Sequence, residues 1–256
     1  METLSRALVR PPSPAYVAYY AARGISISAE LAREQHAGYV AMLEAAGLQV
    51  RTIEPDAAFP DCVFIEDTAV VWGDRALITR MAPHREGEQA AVEAALRATH
   101  EIVRLPTGAT LDGGDVLHVG PTTYVGLSSR TNAAGVQAVA NLLTPFGRPV
   151  VPVPVSRCLH LKSAVTALAA DTILAGPGMI NVELFRDCKI ILTDERETHA
   201  ANCLRVRDHV LVLGGYPETI RRVPAFADAN GLRVVALPMS EFEKGDGSLT
   251  CLSILW

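Results

Sequence analysis

ATLDGGDVLHVG (109–120), TTYVGLS (122–128), NAAGVQAVANLL (132–143) and VVPVPV (150–155) follow one another through the middle of the chain. The first piece reads as a strand interrupted by a Gly-Gly break, the second as a strand, and the third carries apolar residues at helical spacing. The fourth is a short β-branched run suited to a closing strand. The order strand, strand, helix, strand is one complete ββαβ unit.

Moving upstream, CVFIEDTAVVW (62–72), ALITR (76–80), GEQAAVEAALRAT (87–99) and EIVRLP (101–106) repeat that order. Downstream it recurs in AANCLRVR (200–207), HVLVLGG (209–215), ETIRRVPAFADANG (218–231) and RVVALP (233–238). A less regular copy lies between, from CLHLKSAVTALA (158–169) through DTILAG (171–176) to KIILT (189–193). The fifth is split across the chain: TCLSILW (250–256) and ALVRPP (7–12) supply two strands, with SAELAREQHAGYVAMLEAAG (28–47) and QVRTIEP (49–55) as helix and last strand.

A recurrence of roughly 42 to 49 residues invites comparison with a β-propeller. A propeller blade is four strands, however, and here each unit is expected to contain an Ala-rich segment of helix length. The reading adopted is an α/β ring of five ββαβ units, five-fold pseudo-symmetric and closed by pairing the C-terminal strand with the N-terminal one. With 256 residues and no Pro-, Gly- and Ser-rich linker, 1–256 is expected to be a single catalytic domain.

Composition narrows the function. Apolar residues make up 49% of the chain and net charge is −5, which supports a large aliphatic core and argues against disorder. The 23 basic residues are scattered among 28 acidic ones, so no electrostatic footprint for nucleic acid is expected. No segment has the apolar length of a membrane span, and Met1–Arg10 lacks a secretory pattern. Cys62, Cys158, Cys188, Cys203 and Cys251 form an odd set without CxxC pairing, which suits free thiols in the cytoplasm and gives no metal-ligand spacing.

In each unit the first strand ends or breaks at a reactive residue: Glu66 and Asp67, Asp112, His160, Asn202 and Cys251. Equivalent positions of a ring face one axis, so carboxylates, an imidazole and a thiol are expected to share a cavity. Singly, each has a plain structural reading. A cysteine in an apolar strand is ordinarily a small buried hydrophobe, His160 could be a satisfied core histidine, and Asp112 in LDGGD could serve a turn. Two carboxylates inside VFIEDTAVVW are harder to dismiss, because buried charges need a cation or donors. Together these groups describe a site for a planar cation, and guanidinium matches carboxylates bidentately. A bound cation would also favour thiolate over thiol.

At these residues the sequence resembles the dimethylarginine dimethylaminohydrolases of the arginine-deiminase-like five-bladed αβ-propellers, or penteins. PDCVFIEDTAV, ALITR, ATLDGGDVL, VGLSSRTN, LHLKS, AANC and PMSEFEKGDGSLTCLS resemble the family's segments in order across nearly the whole chain. The resemblance implies Cys251 as nucleophile, His160 as general acid and base, and Asp112 as the acidic partner beside His160 and the substrate. It implies Asp67 and Glu66 as guanidinium-binding acids and Asp61 as receiver of the substrate's α-amino group. Arg85 and Arg130 are implied as the pair holding its α-carboxylate, with Gly245 as a backbone contact and Asp246 as a loop acid. The family motif carries a bulkier residue at Gly245, the segment between Arg80 and Arg85 is one residue short, and PPSPAYVAYYAARGIS (11–26) has no family counterpart.

By that resemblance the reaction converts N-methylated arginine to citrulline and an alkylamine through a covalent thiouronium on Cys251. No cofactor or metal is implied, the partner is a small molecule, and a homodimer is compatible with the family. The rivals are an arginine or agmatine deiminase, an amidinotransferase, and a non-catalytic guanidino-amino-acid binder. Deiminases of the group carry an acid two positions after the histidine, where this chain has Lys162, which cannot accept guanidinium hydrogen bonds.

Overall fold

The computed structural model describes residues 4–256. The chain begins with β1 (Arg6–Val9), α1 (Pro14–Ala21), α2 (Ala29–Ala45) and β2 (Gln49–Thr52). It then runs through β3 (Ala69–Trp72), β4 (Arg75–Ile78), α3 (Ala90–Leu96) and β5 (Glu101–Arg104), followed by β6 (Val116–Val119), β7 (Thr122–Leu127), α4 (Ala133–Leu143) and β8 (Val150–Pro154). The second half contains α5 (Leu161–Ala164), β9 (Val165–Ala169), β10 (Thr172–Ala175), β11 (Lys189–Leu192), β12 (Leu204–Val206) and β13 (His209–Leu213). The chain ends with α6 (Pro217–Ile220), α7 (Val223–Ala229), β14 (Arg233–Leu237), α8 (Ser240–Glu243) and β15 (Ser253–Leu255).

These strands form five three-stranded sheets, each with a middle strand antiparallel to one neighbour and parallel to the other. A parallel pair needs a crossover, and the helices provide it. In the split unit β15 pairs with β1 in register Leu8↔Ile254, and β1 pairs with β2. The five-unit ring is therefore stapled by its two ends.

Local chemistry explains the crossovers. Ser28 caps α2 by accepting from Leu31 N at 3.2 Å, and Asn132 caps α4 by accepting from Gly135 N at 2.9 Å. Tyr39 and Leu43 of α2 and Val139 and Leu143 of α4 are fully buried, each worth roughly 1.5–3 kcal/mol of apolar transfer. One expectation fails in the irregular unit, whose crossover holds only a 3-10 turn at Val182–Phe185 instead of an Ala-rich helix. Gly176, Pro177 and Gly178 begin that segment, and Asn181 caps the short turn from its side chain.

A second correction concerns the reactive residues. The sequence suggested that they sit in strands; instead they lie in or beside tight turns entering the first strand of each unit. These turns are Ile65–Thr68, Gly113–Asp115, α5, Thr198–Ala201 and Thr250–Leu252. A turn frees backbone N–H groups that a strand would spend on its ladder. Gly114 N accordingly donates to Asp67 Oδ1 at 3.0 Å, and Leu161 N donates to Asp115 Oδ1 at 2.8 Å.

Neighbouring turns touch around the ring. The Asn202 amide joins three units, donating to Lys162 O and Thr250 Oγ1 at 3.1 and 3.0 Å and accepting from Thr250 N at 3.1 Å. At one contact Gly113 packs so closely that a Cβ would stand 2.0 Å from Glu66 O. Hence the Gly-Gly break belongs to ring closure as well as to a turn. No helix among the described residues is long and apolar enough to cross a membrane.

Candidate active site

His160 ends the loop before α5, and its Nε2 lies 2.9 Å from Asp112 Oδ2 and 3.9 Å from Asp67 Oδ1. All three side chains are buried. Burial alone would lower the His160 pKa, but the Asp67 charge and the Asp112 hydrogen bond prevail and raise it to about 9. The imidazole is therefore protonated at neutral pH. Gly114 makes room for it, because a Cβ there would meet His160 Nδ1 at 2.7 Å and Asp67 Oδ1 at 2.9 Å.

Asp67 is held from the other side by Arg85 Nη1 at 2.6 Å. Against its burial, the His160 and Arg85 charges hold the Asp67 carboxyl below the usual range. Asp112 moves the opposite way: burial raises it, the Asp67 charge adds to this, and the His160 hydrogen bond opposes.

Cys251 lies in the Thr250–Leu252 turn, part-buried, with its N–H on Ser248 O at 3.1 Å. Burial pushes its thiol up to about 12, and the Glu66 and Asp67 charges push in the same direction. Beside it, Glu66 Oε1 accepts the Lys162 ammonium. Burial lifts the Glu66 carboxyl to about 7 despite Lys162.

Among the described residues, the buried carboxylate oxygens without a hydrogen-bond partner are Glu66 Oε2 and Asp112 Oδ1. Unpaired buried acceptors are costly. These two belong to turns in contact at the ring axis, so they are poised for donors arriving from outside the protein.

The other expected residues fall into place unequally. Asp61 Oδ1 accepts from Tyr20 of α1 at 3.0 Å, and Tyr20 reaches Gly245 O at 3.3 Å. Arg130 is part-buried, and its guanidinium has no hydrogen-bond or ion-pair partner among the described residues. Asp246 is exposed at φ 57°, a left-handed conformation that Asp tolerates better than most residues.

Arg85 departs from its expected place. It is 6% exposed, with Nε and Nη2 on Glu88 at 2.9 and 2.6 Å, Nη2 on Phe64 O at 3.1 Å and Nη1 on Asp67. A guanidinium so occupied is not an open receiver for a substrate carboxylate. Arg85 instead anchors Asp67.

Several groups escaped the sequence reading. Asp115 accepts from Ser128 Oγ and Thr131 Oγ1, each at 2.6 Å, as well as from Leu161 N, tying two units beneath His160. Glu88 stood three residues after Arg85, a spacing that could have signalled an ion pair. Nothing in PPSPAYVAYYAARGIS announced that Tyr16 and Tyr20 would reach this region. Their hydroxyls fill the space beside Gly245, where a Cβ would meet both at 2.8–2.9 Å. That accounts for glycine at this position.

Asp67, Asp112 and His160 also offer three ligand atoms within 4.8 Å, an arrangement invisible to a search for local His and Cys spacing. Arg85 and the imidazole already supply cationic partners to those carboxylates.

The arginine deiminase family model matches residues 20–203. The N(G),N(G)-dimethylarginine dimethylaminohydrolase of Streptomyces coelicolor is 39% identical, covering 97% of this chain and 96% of that protein. The enzyme of the same name from Pseudomonas aeruginosa is 33% identical, with 87% of each covered. A Cys-to-Ser variant of the Pseudomonas aeruginosa protein, solved in complex with citrulline, superposes with a TM-score of 0.90 at 29% identity, covering 99% of this chain and 100% of that one. The chain belongs to the arginine deiminase family of αβ-propellers, within it to the dimethylarginine dimethylaminohydrolases.

Proposed function

We propose that the protein hydrolyses N-methylated arginine to citrulline and dimethylamine or methylamine, with Cys251 as nucleophile. The observation that carries this reading is the pair of unpartnered buried oxygens, Glu66 Oε2 and Asp112 Oδ1, beside a cysteine and a protonated histidine. A guanidinium supplies donors in one plane to both. Its charge would offset the carboxylates that suppress Cys251 ionisation, so arrival of substrate favours the thiolate.

The thiolate attacks the guanidinium carbon, and His160 gives its proton to the departing amine as the C–N bond breaks. A thiouronium remains on Cys251. His160 then takes a proton from water, hydroxide adds to the same carbon, and the C–S bond breaks with its electron pair going to sulfur, releasing citrulline and restoring the Cys251 thiolate. Asp112 orients His160, and Asp67 fixes the field through Arg85 and Gly114 N, a preorganised arrangement that needs no rearrangement during reaction.

Asp61 is assigned the substrate's α-amino group and Arg130 its α-carboxylate, with Arg85 confined to positioning Asp67. Gly245 and Asp246 border the substrate through the loop before the nucleophile, and the substrate is the small-molecule partner of the site. Lys162 occupies Glu66 Oε1, leaving no second acceptor there for an unsubstituted nitrogen. This favours an alkylated substrate over an ammonia-releasing deiminase.

Incubation with asymmetric dimethylarginine, arginine and agmatine, with assay of the released amine, tests the reading. Dimethylamine and citrulline from the first substrate are expected. Ammonia from arginine as the dominant activity would overturn it, and so would absence of a Cys251 adduct in mass spectra of enzyme quenched during turnover.

A further inference from the structure

Asp115 is fully buried in the Gly113–Asp115 turn and takes no part in the steps above. A buried carboxylate needs donors. Three converge on it: Ser128 Oγ and Thr131 Oγ1, each 2.6 Å from Oδ2, and Leu161 N, 2.8 Å from Oδ1. An ionised carboxylate is acceptor-only and meets all three.

The two hydroxyls cannot reverse direction. Ser128 Oγ already accepts from Arg130 N at 2.9 Å and from Thr131 N at 3.1 Å, which fills its lone pairs and leaves its proton for Asp115. Thr131 Oγ1 accepts from Asp112 N at 3.3 Å and donates to Asp115. Ser128 N closes the turn on Thr131 O at 3.1 Å. Through these hydroxyls one carboxylate holds the main chain at Arg130, Thr131 and Asp112, and it holds Leu161, the residue after His160, directly. Gly126 of β7 passes so close that a Cβ there would stand 2.3 Å from Asp115 Oδ1, so the carboxylate has no room to shift toward that strand.

Both ends of this network carry chemistry. The Arg130 guanidinium has no side-chain partner among the described residues, so its main chain is what aims it. At the other end, the Asp67 charge, the Asp112 hydrogen bond and the Asp115 charge all raise His160 against its burial.

We propose that Asp115 is a positioning residue, one carboxylate that sets the Arg130 main chain and His160 relative to each other and so keeps the carboxylate-receiving and proton-transferring parts of the site in register. The inference rests on the roles assigned to Arg130 and His160 above and gives Asp115 no contact with substrate. Loss of Asp115 acts on KM through Arg130 and on kcat through His160, whereas loss of Ser128 acts on the Arg130 side.

Steady-state kinetics of Asp115→Asn and Ser128→Ala test this, with asymmetric dimethylarginine or arginine, whichever the parent turns over. That choice separates a failure here from a failure of the substrate assignment, which the parent's released amine decides. Asp115→Asn turns an NH2 toward groups that can only donate. It should lower kcat about 10²-fold, the cost of displacing a positioned group by about 1 Å, and raise KM about ten-fold. Ser128→Ala releases Arg130 N but leaves Asp115 on Leu161 N, so KM should rise about ten-fold with kcat within about three-fold of the parent. A third reading needs no turnover: the pH at which the His160 imidazole titrates, followed by NMR in the resting protein. It should fall by about one pH unit in Asp115→Asn, because a charge that raises it is gone. Asp67 with its Arg85, Asp112, Cys158, Lys162, His118 and His199, on the segments around His160, are the same in both proteins. Parent KM in Ser128→Ala would overturn the proposal. In folded Asp115→Asn, a fall in kcat at parent KM, unchanged kinetics or an unmoved His160 titration would do the same.

Discussion

Arg85 Nη1 stands 2.6 Å from Asp67 Oδ2, and the same guanidinium grips both oxygens of Glu88. A buried cation thus faces two buried carboxylates, and its removal would leave like charges without a partner. Breaking such a network costs roughly 3–5 kcal/mol. Arg85→Gln should lower unfolding free energy by about that amount in denaturant titrations, whereas exposed Arg196→Gln should change it by less than about 0.5 kcal/mol. Equal stability in both variants would remove the anchoring role.

Asp112→Asn keeps the shape of the site but replaces the charged acceptor of the His160 hydrogen bond. A fall in kcat of roughly 10²–10³ is expected, the size seen when one preorganised electrostatic contact is lost, with melting temperature little changed. Activity comparable to the parent would remove Asp112 from the mechanism.

The Cys251 thiol is raised to about 12, so its reactive anion is scarce near neutrality and increases with pH. Alkylation by iodoacetamide at pH 7 should run roughly a thousand-fold slower than at an ordinary thiol with pKa near 8.5. The rate should rise about ten-fold per pH unit between 7 and 9, the slope expected below a single pKa. Peptide mapping of the alkylated enzyme measures this directly, and a plateau below pH 8 at Cys251 would contradict it.

Gly114→Ala would drive a methyl group into the His160 ring and the Asp67 carboxylate. Displacing a positioned catalytic group by about 1 Å can cost 10²-fold in rate. A drop of that order in kcat is expected, with substrate KM within about three-fold of the parent. Unchanged kcat would show that the imidazole tolerates the shift.

Tyr20→Phe removes the hydroxyl linking α1 to Asp61 and Gly245 O. Loss of one charge-assisted bond is worth roughly 1.5–3 kcal/mol. Because Asp61 is assigned to the substrate's amino group, the effect should fall on KM, raised about ten-fold or more, with kcat retained. A fall in kcat at unchanged KM would place Tyr20 in the chemical step instead.

Much of this was legible in the sequence because the unit repeats. Strand, strand, helix, strand is a local pattern, and five copies placed Glu66, Asp67, Asp112, His160, Asn202 and Cys251 around one axis. Secondary structure at those residues was less legible, since IEDT and LKSA read as strand by composition but fold as turns whose N–H groups serve carboxylates in the next unit. That preference is tertiary. Arg85 was misplaced for a related reason: a buried guanidinium and an open one look alike in sequence, and only packing around Glu88 and Phe64 distinguishes them. Tyr16 and Tyr20 were silent because their target, the loop at Gly245, lies more than two hundred residues away.

Synthesis order gives the β15–β1 staple a further meaning. The strand that completes the first sheet immediately follows the turn carrying Cys251, so a ribosome must reach the 250s before the ring can shut. A product cut short of Thr250 would lack Cys251 and leave β1 with an uncovered edge. Truncation would therefore abolish turnover and expose a sticky flank at once, marking incomplete copies for aggregation or proteolysis.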